Sequence, residues 1–236
     1  MRLIRNILAF FMAFVLILLL FLPVAVLSGV LGRDAFIYSS ARFVIGTTLR
    51  ILGVKTVVRG LDAVDFSVHP LIICNHLSNL DGPLLVRILP VDPRVLIKAE
   101  ARKMPLVGWI MKLADFVFVD RASALRRQEA LNEAIAKIRE KHYSFLVFPE
   151  GTRSKSGRTQ DFKKGGFVMA QRAGVPVLPV RIRGTYPLLP PGRRTCGRGT
   201  IEVDFFPLVH LGDTAENELP GFIKGLQQKI YGETKT

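Results

Sequence analysis

The sequence predicts an α/β fold, in which helices flank a mixed and largely parallel sheet, preceded by an N-terminal apolar helical membrane anchor. Three observations support this prediction. After residue 54, short runs rich in valine, isoleucine and phenylalanine alternate with helical stretches. Residues 6–32 carry no charge, and a chain of 236 residues is long enough for one substantial core plus an appendage. We therefore expect an anchoring segment at residues 1–53 and a folded domain at residues 54–236.

The uncharged run at residues 6–32 is long enough, as a helix, to cross a bilayer core of about 30 Å. Arg2 and Arg5 in front of it would also suit a signal peptide. However, the run exceeds the usual apolar region of about 7 to 15 residues in such peptides, and no small-residue cleavage site follows it. The run is therefore typical of a retained membrane segment.

The topology of the anchor stays open. Pro23 lies inside the apolar run and allows a kink there. The next stretch, residues 35–53, mixes aromatic and aliphatic side chains with Arg42 and Arg50, which favours an interfacial helix. Basic residues flank the run on both sides, so charge bias selects no orientation. The alternatives are one spanning helix or a two-helix hairpin that enters one leaflet.

Basic side chains dominate the composition, with 33 Lys plus Arg against 19 Asp plus Glu and a formal charge of +14. Beside an apolar anchor, this charge suits anionic lipid headgroups. The sequence has no zinc-finger spacing and no aromatic RNA-binding signature, so we expect no nucleic-acid partner. His69, His142 and His210 are scattered without ligand-like spacing, so we expect no metal site.

Seven short runs are predicted as buried strands, and the clearest helix is expected from about 124 to 141, where Leu131, Ile135 and Ile138 recur among charges. Strands that alternate with helices indicate a largely parallel sheet. The strand runs are TVVRG (56–60), LIICN (71–75), RVLIK (94–98), DFVFVD (115–120), SFLVFP (144–149), VPVLPVRI (175–182) and TIEVDFF (200–206).

The stretch IICNHLSNLDGP (72–83) begins as a buried strand and ends in polar side chains. A strand end, a loop and a helix beginning near Asp81 would place His76 in the crevice beyond the sheet, where α/β folds bind ligands. Five residues on one continuous helix would separate the two side chains by about 140°, so the pair needs the intervening loop. The favourable position for Asp81 is the N-cap or first turn of that helix, with Pro83 tolerated just inside.

A second polar stretch, FPEGTRSKSG (148–157), follows another predicted strand. Gly151, Thr152, Arg153 and Ser154 together offer backbone N–H groups, hydroxyls and a guanidinium, which suit a phosphate. The spacing is not that of a Walker loop.

Together the two stretches resemble the glycerophospholipid acyltransferases, in particular the 1-acylglycerol-3-phosphate (lysophosphatidic acid) acyltransferases. Residues 75–81 (NHLSNLD) match the family's Asn-His-x-Ser-x-x-Asp block, and residues 148–154 (FPEGTRS) match its Phe-Pro-Glu-Gly-Thr-Arg-Ser block. The stretch KAEARKMPLVGWIMKLADFVFVDR (98–121) is similar to the second block, and residues 175–180 are similar to the fourth. Asp115, where relatives usually carry glycine, and Ala101 depart from the pattern, and both are expected beside the acceptor region.

The resemblance implies acyl transfer to an alcohol by a general base, with His76 as the base and Asp81 orienting and stabilising its ring. Backbone N–H groups near Gly151 are candidates for stabilising the oxyanion. The resemblance also implies residues that bind the substrates. Arg153 is expected to bind the acceptor phosphate, with Lys98 and Arg121 in a supporting role. Glu150 is expected to hold the loop of Arg153, which also contains Gly151 and Thr152, and Lys163 and Lys164 are expected to bind an acidic donor.

The implied reaction moves a fatty acyl group from acyl-CoA or acyl carrier protein to the sn-2 hydroxyl of lysophosphatidic acid, giving phosphatidic acid, with no cofactor and no metal. Such donors would require the catalytic domain, residues 54–236, to face the cytoplasm. The protein is therefore expected in the cell inner membrane or in another membrane that faces the cytoplasm. Alternatives are acylation of another lysolipid, such as a lyso-ornithine lipid, hydrolysis by a water that His76 activates, and a non-catalytic lipid-binding scaffold.

Overall fold

The structure, a computed structural model, describes residues 2–31, 35–104, 106–120, 122–212, 214–215 and 217–231. The strands are β1 Val54–Arg59, β2 Leu71–Cys74, β3 Arg94–Lys98, β4 Val117–Val119, β5 Phe145–Val147, β6 Val177–Arg183 and β7 Gly199–Phe205. The helices are α1 Arg2–Leu31, α2 Ala35–Leu52, α3 Asp81–Ile88, α4 Val107–Leu113, α5 Ala124–Lys141, α6 Gly165–Ala173, α7 Thr185–Leu188 and α8 Leu219–Tyr231.

The strands form one seven-stranded sheet in the order β1-β7-β6-β2-β5-β3-β4. β6, β2, β5, β3 and β4 run parallel to one another, while β7 pairs antiparallel with β6 and parallel with β1. The predicted mixed, largely parallel sheet is therefore confirmed. Each of the seven predicted runs overlaps an observed strand, and the helix expected from about 124 to 141 spans Ala124–Lys141.

Each face of the sheet carries its own apolar layer. Along β2, Ile72 and Cys74 pack with residues of α2 and α3, while Leu71 and Ile73 pack with residues of α5, α6 and α8. The alternation follows from the two-residue period of a strand. Because both faces of β2 are covered, all four of its residues are buried, which explains why the strand is continuously apolar in sequence.

The first two helices pack against each other, and α2 also packs against α3 and β1. Pro23 does not end α1, which continues to Leu31. Within the described residues, one helix is long and apolar enough to cross a membrane, with a mean hydropathy of 2.6 over Arg2–Leu20. The expected apolar segment is thus present as a helix that packs against α2, and the choice between a spanning helix and a two-helix hairpin stays a prediction.

The boundary between anchor and domain lies in a short turn. α2 ends at Leu52 and β1 begins at Val54, with Gly53 at φ 69° between them. However, Leu49 and Leu52 of α2 are buried in the same apolar layer as β2. The division at residue 53 remains a prediction, since the second helix contributes to the core of the sheet domain.

Candidate active site

Polar loops follow the carboxyl ends of neighbouring parallel strands. Residues 75–81 follow β2 and residues 148–157 follow β5, which pairs directly with β2. Because parallel strands end at the same edge of a sheet, the two loops meet there. The backbone N–H of Ser154 donates to His76 O at 2.9 Å, so the two sequence blocks are in direct contact.

The loop after β2 is held from both sides by buried polar side chains. Asn75 donates to Ile182 O at 2.9 Å and accepts from Ile182 N at 2.8 Å, which ties the end of β2 to β6. Ser78 Oγ donates to Leu189 O at 2.6 Å and accepts from Leu80 N at 3.1 Å. These bonds satisfy polar groups that would otherwise be costly to bury, and they hold the loop in one conformation.

His76 and Asp81 form a hydrogen-bonded pair, with His76 Nδ1 3.0 Å from Asp81 Oδ2. Asp81 is fully buried in the first turn of α3, as expected, and its Oδ2 also accepts from Leu77 N and Ser78 N at 2.7 Å each. Three donors thus meet one carboxylate oxygen and determine its position. Because Nδ1 faces Asp81, the ring nitrogen left for a substrate is Nε2.

The aromatic ring of Phe148 supports the imidazole of His76. The two rings stack with their centroids 4.0 Å apart and their planes 16° apart. Phe148 directly follows β5, so its position depends on the pairing of β5 with β2. The ring of His76 is therefore held by Asp81 at one nitrogen and by Phe148 against one face.

Glu150 is buried beneath the backbone of His76. Its Oε1 accepts from His76 N at 3.0 Å, and its Oε2 accepts from Gln160 Nε2 at 3.4 Å. The pKa of Glu150 is raised from 4.5 to about 7, chiefly by burial and also by the charge of Asp81, while the hydrogen bonds from His76 and Gln160 act in the opposite direction. Glu150 therefore titrates near neutral pH beside the His76–Asp81 pair.

The loop expected to bind phosphate turns sharply at Gly151, where φ is 75°. The Gly151 N–H donates to Phe148 O at 3.0 Å, so this donor, which the sequence suggested for an oxyanion, is already used within the loop. A Cβ at Gly151 would lie 2.9 Å from Lys163 Nζ, which places that ammonium beside the turn. Thr152 is exposed, and its carbonyl accepts from Gln160 Nε2 at 3.2 Å.

Arg153 is exposed, and within the described part of the chain its guanidinium has no ion-pair partner. It lies next to Ser154, whose buried side chain accepts from Gly157 N at 3.1 Å. The expected phosphate ligand is therefore an uncompensated cation on a loop whose base is fixed, as anion binding requires.

The second block contributes less to this arrangement. Lys98 ends β3 at the same edge of the sheet, but its ammonium lies 2.7 Å from Glu100 Oε1 and is largely exposed. Arg121 lies outside the described residues. Lys164 is exposed and begins α6 as its N-cap residue.

Asp115 does not lie where the sequence suggested. It precedes the amino end of β4, at the edge of the sheet opposite the site, and pairs with Lys137 and Lys141 of α5 at 2.6 and 2.8 Å. Its φ of 57° explains the glycine expected there. Ala101 belongs to a short 3₁₀-helix at residues 99–103. Asp115, which replaces the glycine of the family pattern, therefore contacts α5 rather than the acceptor region.

Several residues that support the pair or its loops were not assigned a role from the sequence. Phe148, Asn75 and Ser78 stand inside the two polar blocks, so their position in the motifs was the available signal. Gln160 lies outside both blocks, and no local pattern marks it. Its side chain donates to Glu150 Oε2, and its backbone oxygen accepts from Gln227 Nε2 of α8 at 3.2 Å.

An apolar cavity of about 200 Å³ lies between the anchor and the sheet domain. Its wall consists mainly of aliphatic side chains from α1, α2 and α4, among them Ile17, Val44 and Ile110. A wall of this kind suits an apolar chain rather than a polar ligand.

A largely parallel sheet with the His76–Asp81 pair at its carboxyl edge, where α/β folds bind ligands, is the architecture of an α/β enzyme. The acyltransferase family model matches residues 55–183, more than half of the chain. This protein therefore belongs to the acyltransferase family.

The fold is also that of a solved relative. The crystal structure of the 1-acyl-sn-glycerophosphate (LPA) acyltransferase PlsC from Thermotoga maritima superposes with a TM-score of 0.80 at 31% identity, covering 97% of this chain and 95% of that one.

Similar sequences carry related names. The chain is 29% identical over 167 residues to a 1-acyl-sn-glycerol-3-phosphate acyltransferase of Saccharomyces cerevisiae, covering 70% of this chain. It is 27% identical over 179 residues to an enzyme of that name from Limnanthes douglasii, covering 76% of this chain. The matches span 55% and 63% of the lengths of these two relatives, so the chain corresponds to somewhat more than half of each.

Proposed function

We propose that this protein transfers a fatty acyl group from a thioester donor, acyl-CoA or acyl carrier protein, to the sn-2 hydroxyl of 1-acylglycerol-3-phosphate, forming phosphatidic acid. The observation that supports the proposal most directly is the contact between a candidate general base and a candidate phosphate-binding loop. An oriented His76–Asp81 pair adjoins the loop of the uncompensated Arg153, through the bond from Ser154 N to His76 O. The names of the yeast, plant and Thermotoga relatives point to the same acceptor.

His76 acts as general base and then as general acid. Its Nε2 removes the proton of the sn-2 hydroxyl while the alkoxide oxygen attacks the thioester carbonyl carbon. Asp81 stabilises the imidazolium through Nδ1. The tetrahedral intermediate then expels the thiolate, which takes the proton back from Nε2. Because the substrate hydroxyl is itself the nucleophile, no covalent acyl-enzyme forms.

The acceptor phosphate binds Arg153, and Lys163, which the sequence assigned to an acidic donor, supplies a second positive charge to this phosphate because it lies beside Gly151. The apolar cavity between α1, α2 and α4 receives an acyl chain. Both lipids then remain at the bilayer surface, held near the apolar helix α1. The catalytic domain faces the cytoplasm, where acyl-CoA and acyl carrier protein are found.

The test is acyl transfer by the full chain in detergent micelles, with long-chain acyl-CoA and acyl carrier protein as separate donors and His76→Ala as the comparison. Phosphatidic acid formed by the wild type and lost in the variant is the expected result. Adding an equimolar lysolipid without a phosphate monoester tests the acceptor, and preferential acylation of that competitor would reject lysophosphatidic acid. Free fatty acid without any acylated lysolipid would indicate hydrolysis instead.

A further inference from the structure

A basic cavity lies at the beginning of α1, apart from the His76–Asp81 pair. It has a volume of about 520 Å³ and opens between the first turns of the helix and the loop that follows α7. Three arginines line it, Arg2 and Arg5 from α1 and Arg198 from the loop, together with Pro187, Leu188 and Gly197. The cavity therefore exists only because α1 docks on the sheet domain.

This docking is specific and places the arginines. Asn6 is buried and both donates to Cys196 O at 3.1 Å and accepts from Cys196 N at 2.6 Å. Arg5 Nη2 also donates to Cys196 O at 2.8 Å, and Arg2 Nη2 donates to Thr195 O at 3.3 Å. The two guanidinium groups are thus anchored to backbone oxygens with donors to spare, because each group carries five N–H bonds.

The positive charge in this cavity is not compensated by the protein. Among the described residues, none that lines the cavity is acidic, and none of the three guanidinium groups has an ion-pair partner. Arg5 Nε is buried and has no hydrogen-bond partner there. Three guanidinium groups around one cavity repel one another, and a bound anion removes both the repulsion and the unsatisfied donor.

The surface next to the cavity indicates which anion fits. Leu3, Ile4 and Ile7, in the same turns as Arg2 and Arg5, are 61%, 70% and 60% exposed. These apolar side chains occupy the face of α1 that does not dock on the sheet domain, and they begin the part of the helix that is apolar enough to enter a membrane. A ligand that matches both surfaces has an anionic head and apolar tails.

We propose that Arg2, Arg5 and Arg198 bind the phosphate of an anionic phospholipid headgroup, at a site separate from the acyl-transfer site. Planar guanidinium groups bind phosphate oxygens in pairs, and basic side chains at the bilayer surface favour anionic lipids. The lipid acts here as a bound partner and not as a substrate. Its phosphate joins α1 to the loop that also contacts the active-site region, where Ser78 Oγ donates to Leu189 O.

The experiment measures lipid binding to the full chain in micelles of a neutral detergent, without any acyl donor. Phosphatidylglycerol, phosphatidylcholine with the same acyl chains, and inorganic phosphate are titrated separately, and the dissociation constant is obtained from the rise in Tm. We expect tighter binding of phosphatidylglycerol than of phosphatidylcholine. Because no turnover is measured, the result does not depend on the acyl acceptor proposed above.

Arg198→Gln is the main variant, since the Arg198 side chain makes no hydrogen bond to α1 among the residues that the structure describes. It should weaken phosphatidylglycerol binding about fivefold, and Arg5→Gln combined with Arg198→Gln should weaken it more than tenfold. The control combines Arg172→Gln with Lys224→Gln, which removes the same charge from exposed positions on α6 and α8 and should leave binding unchanged.

Two outcomes would overturn the proposal. Equal affinity of wild type and Arg198→Gln for phosphatidylglycerol would show that the arginines do not bind the lipid. Protection by inorganic phosphate at the same concentrations as by the lipid would show a site for a soluble anion, and the assignment to a lipid headgroup would then be wrong.

Discussion

The backbone N–H of His76 donates to Glu150 Oε1 at 3.0 Å, so a buried carboxyl group supports the candidate base from beneath while Asp81 orients its ring. The two carboxyl groups have different tasks. Asp81 contacts the imidazole ring of His76, whereas Glu150 contacts its backbone and joins the loops after β2 and β5. This relationship explains why an acidic residue stands in a loop that is expected to bind an anion.

Replacing Asp81 by asparagine should lower kcat by about 10²- to 10⁴-fold, because the amide neither favours the required tautomer of His76 nor stabilises the imidazolium. Its oxygen can still accept from Leu77 N and Ser78 N, so the loop should persist. Steady-state kinetics and the Tm of the variant check this. Asn79→Ala, an exposed change in the same loop, should retain activity. A kcat for Asp81→Asn within threefold of the wild type would contradict the assigned role.

Replacing Arg153 by alanine should raise KM for lysophosphatidic acid by about 10- to 100-fold, since a charge-assisted hydrogen bond contributes about 1.5–3 kcal/mol. KM for the donor should change little. Arg158→Ala removes another exposed arginine from the same loop and is the matched control. Equal effects of the two substitutions on the acceptor KM would indicate general electrostatic attraction instead of a specific contact.

Glu150 should make the free energy of unfolding depend on pH. Its pKa is raised by burial from 4.5 to about 7, so the folded protein binds the proton more tightly than the unfolded chain. The stabilisation is complete below about pH 4.5 and decreases as pH rises towards 7, by roughly 3 kcal/mol in total.

Glu150→Gln retains an oxygen for the His76 N–H but cannot titrate, so its unfolding free energy should vary less over that pH range. Denaturant unfolding at pH 5, 6, 7 and 8 measures the difference between variant and wild type. Glu140→Gln, at an exposed position of α5, should leave the pH dependence unchanged. Parallel curves for wild type and Glu150→Gln would exclude Glu150 as the titrating group.

Alanine substitutions at two glycines can distinguish the cost of backbone strain from an effect on activity. Gly151 and Gly174 have almost the same φ, 75° and 74°, but a Cβ at Gly151 would lie 2.9 Å from Lys163 Nζ whereas a Cβ at Gly174 would contact nothing within 4 Å. Alanine at either position should cost about 1–2 kcal/mol of stability through the left-handed backbone. Only Gly151→Ala should also displace Lys163 and lower activity, by about tenfold or more. Thermal unfolding combined with initial rates distinguishes the two effects, and equal activity of the two variants would rule out a role for this turn.

Much of this protein follows from local sequence patterns. Apolar runs predicted the strands and their largely parallel sheet, because a strand covered on both faces must be apolar throughout. The helical repeat of Leu131, Ile135 and Ile138 predicted α5 to the observed bounds. The spacing of His76 and Asp81 required a loop and a helix start between them, and both are present.

Other features depend on contacts between distant parts of the chain. The stacking of Phe148 on His76 requires the pairing of β5 with β2, and the hydrogen bond from Gln227 of α8 to the backbone of Gln160 joins residues that are far apart in sequence. The raised pKa of Glu150 arises from burial, which no local pattern reports. The sequence by itself determined the elements and the candidate His76–Asp81 pair, because periodicity and motif spacing are local properties. Only the tertiary structure decided which side chains support that pair and that Arg2 and Arg5 lie near Arg198, because the distances between these residues depend on how the helices and strands pack.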